Sequence, residues 1–166
     1  MKLRLALKLN LFIVAVFVFL GFSFPDKPAN YVNDYVGILK PEQQNLLNEK
    51  LRLFDKTTST QIFIAIFNGL DGESLERASI KIAEQWRAGQ SKKDNGVIIS
   101  VFLADHKIRI EVGYGLEASL TDALASKIIR FIITPEFKNG DYFAGLNKAV
   151  DKIIEITKGE YKGDLD

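Results

Sequence analysis

KDNGVIISVFLADHKIRIEVGYGLE, Lys93–Glu117, is the stretch that decides how this chain folds. Gly96–Leu103 is a short, β-rich apolar run, the pattern of a strand buried on both faces. Ala104-Asp105-His106-Lys107 follows as a polar hairpin turn. In Lys107–Gly113, Ile108, Ile110 and Val112 alternate with Lys107, Arg109 and Glu111. That strand has one dry face and one wet or partly covered face. A tight turn makes the two strands antiparallel. Their outer ends, Asp94-Asn95-Gly96 and Gly113-Tyr114-Gly115-Leu116-Glu117, therefore meet at one edge of a sheet. Carboxylates and glycines at both ends either close turns or build a site.

Working toward the N-terminus, Ser74–Arg87 carries Leu75, Ala78, Ile82 and Trp86 at helical spacing, with Trp86 as its core anchor. Gln61–Phe67, QIFIAIF, is a second doubly buried strand. A helix joins it to Gly96–Leu103, so the two are expected to be parallel through a right-handed crossover. Before it, Pro41 and Glu42 open a helix that runs to about Lys56 with Leu47, Leu51 and Phe54 inward. Toward the C-terminus, Thr121 can cap a helix to Thr134, which Pro135 breaks or bends. Asp141 can cap a last helix carrying Leu146, Val150 and Ile153. The order α-β-α-β-β-α-α predicts one α/β domain, a small mixed sheet with flanking helices.

The chain has 166 residues and 47% hydrophobic residues, which is globular composition. It has no cysteine, which removes disulfides, thiol nucleophiles, zinc-thiolate sites and a lipoprotein anchor. Its one histidine, His106, falls in the hairpin turn and reads as a solvated turn residue. Lys2, Arg4 and Lys8 precede the unbroken apolar run Leu11–Leu20, and Gly21-Phe22-Ser23 offers small residues for a signal peptidase. Residues 1–23 read as a secretory signal peptide, with an uncleaved membrane anchor as the alternative. Removing them takes three bases and no acid from a total of 22 Lys+Arg and 21 Asp+Glu, leaving 19 against 21. That balance gives no support to nucleic-acid binding. Residues 24–30 read as an extended leader and 159–166 as a polar tail. The protein is expected to be exported, periplasmic or extracellular, with membrane contact only through an uncleaved N-terminus.

Asp94 lies at the start of one strand, Glu117 just past the end of the next, and Asp122 at the start of the following helix. The strand directions let these three carboxylates converge. Gly113-Tyr114-Gly115 frees the backbone there and admits a ligand close to main-chain groups. Oxygen donors without nitrogen or sulfur suit a hard cation, Ca2+ or Mg2+. Asn95, Gly96, Gly113, Tyr114 and Gly115 would support such a site. Arg109 is the one nearby cation that could face a phosphate. The same residues also make ordinary turns and a helix start.

Five short motifs in order resemble the TPM domain family, named after thylakoid, photosystem-associated and nematode modulator proteins. They are Val32, Asp34, Gly37 and Leu39 before Pro41-Glu42; Lys93-Asp94-Asn95-Gly96-Val97; Arg109–Glu117; Leu120–Ala123; and Gly140–Tyr142. The resemblance covers about residues 31–158. It implies a Rossmann-like α/β/α sandwich, usually exported or lumenal and often beside a membrane. It also implies assembly or repair roles, divalent-cation binding and a weak acid-phosphatase activity. By position it adds Asp34 to Asp94, Glu117 and Asp122 as a metal-ligand candidate, although the strand directions do not bring Asp34 to the shared edge. Lys40 stands where many members carry a serine cap. Two functions follow as expectations: a divalent-cation-binding accessory factor serving an envelope or membrane protein, and, as the alternative, a metal-dependent phosphomonoesterase. For the second the sequence offers carboxylates but no Asp-x-Asp nucleophile motif within the fold. A purely structural interaction module, with the acids as caps and turns, is the third possibility.

Overall fold

The computed structural model describes residues 24–90 and 92–159. The signal or anchor reading of 1–23, and the polar tail beyond Gly159, fall outside the described residues. The elements are β1 (Val32–Asp34), α1 (Pro41–Thr58), β2 (Gln61–Phe67), α2 (Leu75–Trp86), β3 (Gly96–Phe102) and β4 (Lys107–Val112). A 3-10 turn (Tyr114–Leu116) follows, then α3 (Asp122–Lys127), a π-helical segment (Ile128–Ile133), α4 (Thr134–Lys138) and α5 (Tyr142–Thr157).

The strands form one sheet in the order β1-β2-β3-β4. β1 and β2 are parallel, with Val32 opposite Ile64, and β2 and β3 are parallel, with Gln61 opposite Gly96. β3 and β4 are antiparallel, with Val97 opposite Val112. Alternate residues of β2 and β3 serve two separate cores. Ile62, Ile64, Ile66, Val97, Ile99 and Val101 pack with α1 and with the helices after β4. Phe63, Ala65, Phe67, Ile98 and Phe102 pack with Ala78, Ile82 and Trp86 of α2. This is why both strands read as unbroken apolar runs. The result is the expected α/β/α sandwich.

β1 was not expected. Three residues are too few to show a period, and β1 exists because its backbone pairs with β2. It also exposes an unusual feature of the connections. β1-α1-β2 and β2-α2-β3 step the same way across the sheet, yet α1 and α2 cover opposite faces. The two crossovers therefore have opposite hands, and one is left-handed against the general preference.

The helix starts follow local chemistry. Ser74 Oγ accepts from Arg77 N, Thr121 Oγ1 from Leu124 N and Asp141 Oδ1 from Ala144 N. At α1, Lys40 has no acceptor to offer, and Gln43 Oε1 instead accepts the Lys40 N–H at 2.9 Å. Pro135 does not end its helix. Proline has no N–H and its ring collides with the carbonyl four residues back in a regular α-helix. The wider π segment just before it relieves both, so α4 continues past Pro135.

Residues 24–30 form no regular element, as expected of an extended leader, and they strap onto the α2 core. The Phe24 ring is 4% exposed and meets Phe67 and Phe102 edge-on, with centroids 5.2 and 6.5 Å apart. Gln85 Nε2 donates to Phe24 O, and Trp86 Nε1 donates to Pro25 O. Lys27 lies over the Phe63 ring and donates to Arg87 O. An aromatic residue flanked by proline carries no periodicity, so its burial is legible only once α2 stands beside it.

Tyr31 ties the strap to α1. Its hydroxyl donates to Asp55 Oδ2 at 2.6 Å, and Gln61 Nε2 donates to the same oxygen at 2.9 Å. Burial, the hydrogen bond to Asp55 and the charge of Asp55 push the Tyr31 phenol up from 10.0 to about 12. Between those values the unfolded chain loses this proton while the folded chain keeps it, so stability falls as pH rises. Tyr31→Phe should flatten this part of the urea-unfolding profile against pH. Parallel wild-type and variant profiles would remove Tyr31 as the cause.

Candidate functional site

The edge where β3 begins and β4 ends is a joint of backbone on backbone. Gly113 N donates to Gly96 O at 2.8 Å, and Gly115 N donates to Asp94 O at 3.0 Å. Tyr114 N donates to Asp94 Oδ2 at 3.3 Å. Asp94 is held at φ 48, a left-handed conformation that aspartate tolerates better than most residues. Asn95, 7% exposed, is the fastener beneath. Its Nδ2 donates to Ser59 O at 2.8 Å, its Oδ1 accepts from Gln90 N at 2.9 Å, and its carbonyl accepts from Gln61 N at 3.2 Å.

The glycines serve this joint. A Cβ on Gly96 would lie 2.1 Å from Ala88 O, one on Gly113 2.2 Å from Asp94 O, and one on Gly115 2.0 Å from Lys93 O. Their freedom is used to let main chain approach main chain.

On the α2 side of the joint is an open cleft of about 840 Å³. Glu84 and Arg87 come from α2 and its C-cap, Asp94 from the start of β3, Glu111 from β4, and Tyr114 and Glu117 from the 3-10 turn and its end. Ala83, Ala88 and Ile98 supply apolar lining, and Tyr114 stands 79% exposed. Four acidic residues and one arginine thus border the cleft, and Glu111 is held by Arg109 beside it.

The sequence candidates separate in this geometry. Asp94 and Glu117 line the same cleft. Asp122 does not line it: after β4 the chain crosses to the other face, where Leu120, Ala125 and Ile128 join the α1 core, and Asp122 stays exposed in the first turn of α3. Asp34 lies at the opposite end of the sheet, paired with Ile66. Its carboxylate accepts from Val36 N, Gly37 N and Leu39 N at 2.8–3.0 Å and so shapes its own turn. Arg109 lies outside the cleft lining, with Nε 2.7 Å from Glu111 Oε1. That hydrogen bond, partly offset by burial, raises the guanidinium pKa further. Glu84, Arg87 and Glu111 were not singled out from the sequence. The alternation in β4 was a signal for Glu111; Glu84 and Arg87 had none beyond lying at the polar end of a helix.

Among the described residues, no three Asp, Glu or His side chains gather as a ligand set for an ion. The donors suit calcium or magnesium by kind, since they are oxygens, but not by number. Asp94 and Glu117 would hold such an ion with water completing its shell, an arrangement magnesium favours.

A family model for the TPM domain matches residues 32–156. The chain belongs to the TPM domain family. Among solved structures, this TPM domain is similar to the N-terminal domain of a P. gingivalis protein, at 29% identity and a TM-score of 0.72, covering 81% of this chain and 88% of that one. It also resembles protein BA42 from the psychrophilic bacterium Bizionia argentinensis, at 19% identity and TM-score 0.65, covering 79% and 89% of the two chains. The N-terminal domain of the cg2496 protein from Corynebacterium glutamicum matches at 12% identity and TM-score 0.62, covering 86% and 92%. These last two identities speak for the fold alone. No curated protein matches the chain.

Proposed function

We propose that this TPM domain is an exported accessory domain of the cell envelope whose cleft takes up a hydrated calcium or magnesium ion through Asp94 and Glu117, serving an envelope or membrane protein. The observation that carries the reading is that Asp94 and Glu117, distant in sequence, line one open cleft, while Glu111 there is already paired with Arg109. Clustered carboxylates repel one another, and a cation offsets that repulsion. Export is supported by the basic, apolar and small-residue order of residues 1–23. Phosphomonoester hydrolysis has less behind it. Arg109 is bound to Glu111, and the described lining has no serine, threonine, cysteine or histidine nucleophile.

The test is a calcium and magnesium titration followed by carboxyl NMR, with a phosphatase assay on the same sample. The Asp94 and Glu117 signals should move and the Asp122 signal should not. Asp94→Asn or Glu117→Gln should weaken binding about tenfold or more, with the fold intact. At a cation concentration of a hundred times Kd, the stability gain should be about 2.7 kcal/mol. Asp94 and Glu117 signals that stay put at millimolar cation would end the reading. Metal-dependent turnover lost in either variant would favour the phosphatase.

A further inference from the structure

The opposite end of the molecule carries a second cavity of a different character. It has a volume of about 480 Å³ and sits between the β3–β4 hairpin and the segment around α4. Phe137 and Tyr142 give it an aromatic wall, Val101 and Ile108 an apolar floor, and His106, Lys107 and Lys138 stand around it. No acid lines it among the described residues. Neither Lys107 nor Lys138 has an ion-pair partner among those residues, whereas Lys81 and Lys148 are each paired with a glutamate. An apolar hollow with unneutralised cations fits an amphiphilic anion.

The strap says where such an anion would come from. Phe24 packs against Phe67 and Phe102, the last residues of β2 and β3, on the α2 face at the same end of the sheet as the cavity. Three residues, Gly21-Phe22-Ser23, separate Phe24 from the apolar run Leu11–Leu20. The four extended steps from Leu20 to Phe24 reach about 14 Å. A bilayer holding that run therefore lies within this distance of Phe24. The Asp94–Glu117 cleft is at the far end of the same strands, about 20 Å away for seven residues of β-strand.

We propose that the His106–Lys107–Lys138 cavity is a docking site for the anionic phosphate headgroup of a membrane phospholipid, so that the hairpin end faces the bilayer and the acidic cleft faces away from it. The proposal rests on the membrane-targeting reading of residues 1–23, in the state where that segment is still attached. Lysine near an anionic leaflet is attracted to it over about a Debye length, and the two lysines of this cavity are exposed.

The test uses the full chain in lipid nanodiscs of phosphatidylcholine, with or without phosphatidylglycerol, doped with a paramagnetic headgroup lipid. With phosphatidylglycerol, relaxation enhancement should be concentrated at the amides of residues 106–108 and 138 and be low at 114–117. Lys107→Gln and Lys138→Gln should each lower the docked-to-undocked ratio by about fivefold. Equal enhancement in phosphatidylcholine alone, or enhancement centred on 114–117, would overturn the proposal. So would saturation of the cavity by soluble glycerol phosphate without any lipid contact, which would make it a small-anion site. An acidic peptide that binds the cavity where phosphatidylglycerol does not would equally reassign it. The readout lies at Lys107 and Lys138 and the cation readout at Asp94 and Glu117, so either can fail alone. Separately, if the apolar run fails to hold the chain on the discs, the targeting reading is what has failed.

Discussion

Gly96→Ala should destabilise the domain by about 3 kcal/mol or more, a large share of the stability of an ordinary domain. The added Cβ would sit 2.1 Å from Ala88 O and 2.3 Å from Ala88 C. Those are backbone atoms and cannot swing aside as a flexible side chain can. Gly96 also pairs with Gln61 and accepts from Gly113 N, so moving it disturbs the two neighbouring strands. Gly140→Ala is the comparison. Gly140 has φ 78 and nothing within 4 Å of an added Cβ, so its substitution costs only the left-handed strain, about 1–2 kcal/mol. Urea unfolding of both variants checks the difference. A Gly96→Ala variant no worse than Gly140→Ala would mean that the joint has slack and that its glycines are free for something else.

Phe24→Ala should lower stability by about 3 kcal/mol, the ordinary cost of deleting a buried phenyl group. The ring is almost fully enclosed by Phe67 and Phe102, and its loss opens the α2 core at the end remote from the cleft. The same logic bears on export. If a signal peptidase removes residues 1–23, the cut falls immediately before this core residue. A mature protein beginning at Phe24 keeps the core whole, and one beginning beyond Pro25 loses both the ring and the Trp86 hydrogen bond. N-terminal sequencing should find Phe24 in the cleaved form and Met1 in the anchored form, and chemical unfolding of Phe24→Ala should show the loss. A variant within about 0.5 kcal/mol of wild type would reduce the strap to a surface feature.

The sequence was most legible where local chemistry is strong. The doubly buried strands, the α1 start at Pro41, the Thr121 and Asp141 caps and the hairpin at 104–107 all announce themselves within a few residues. The meeting of Asp94 with Gly113–Glu117 followed from strand direction, because a tight turn and a helical connection fix antiparallel and parallel pairing. Asp122 shows the limit of that logic. Its distance along the chain allowed it to reach the shared edge, but the apolar residues Leu120, Ala125 and Ile128 draw its helix to the other face.

What the sequence by itself determined about this protein is thus its family, its α/β class and the end of the sheet at which its acidic residues gather. Periodicity, caps and turns are properties of neighbouring residues, and they survive without knowledge of the fold. Only the tertiary structure decided that the Gly96, Gly113 and Gly115 backbones are packed against other backbones, that Phe24 is core, that the two crossovers differ in hand, and that Glu84 and Glu111 share the cleft with Asp94 and Glu117. Each of these depends on which segments touch across many intervening residues. That choice is made by the burial of whole faces, and no short stretch of the chain encodes it alone.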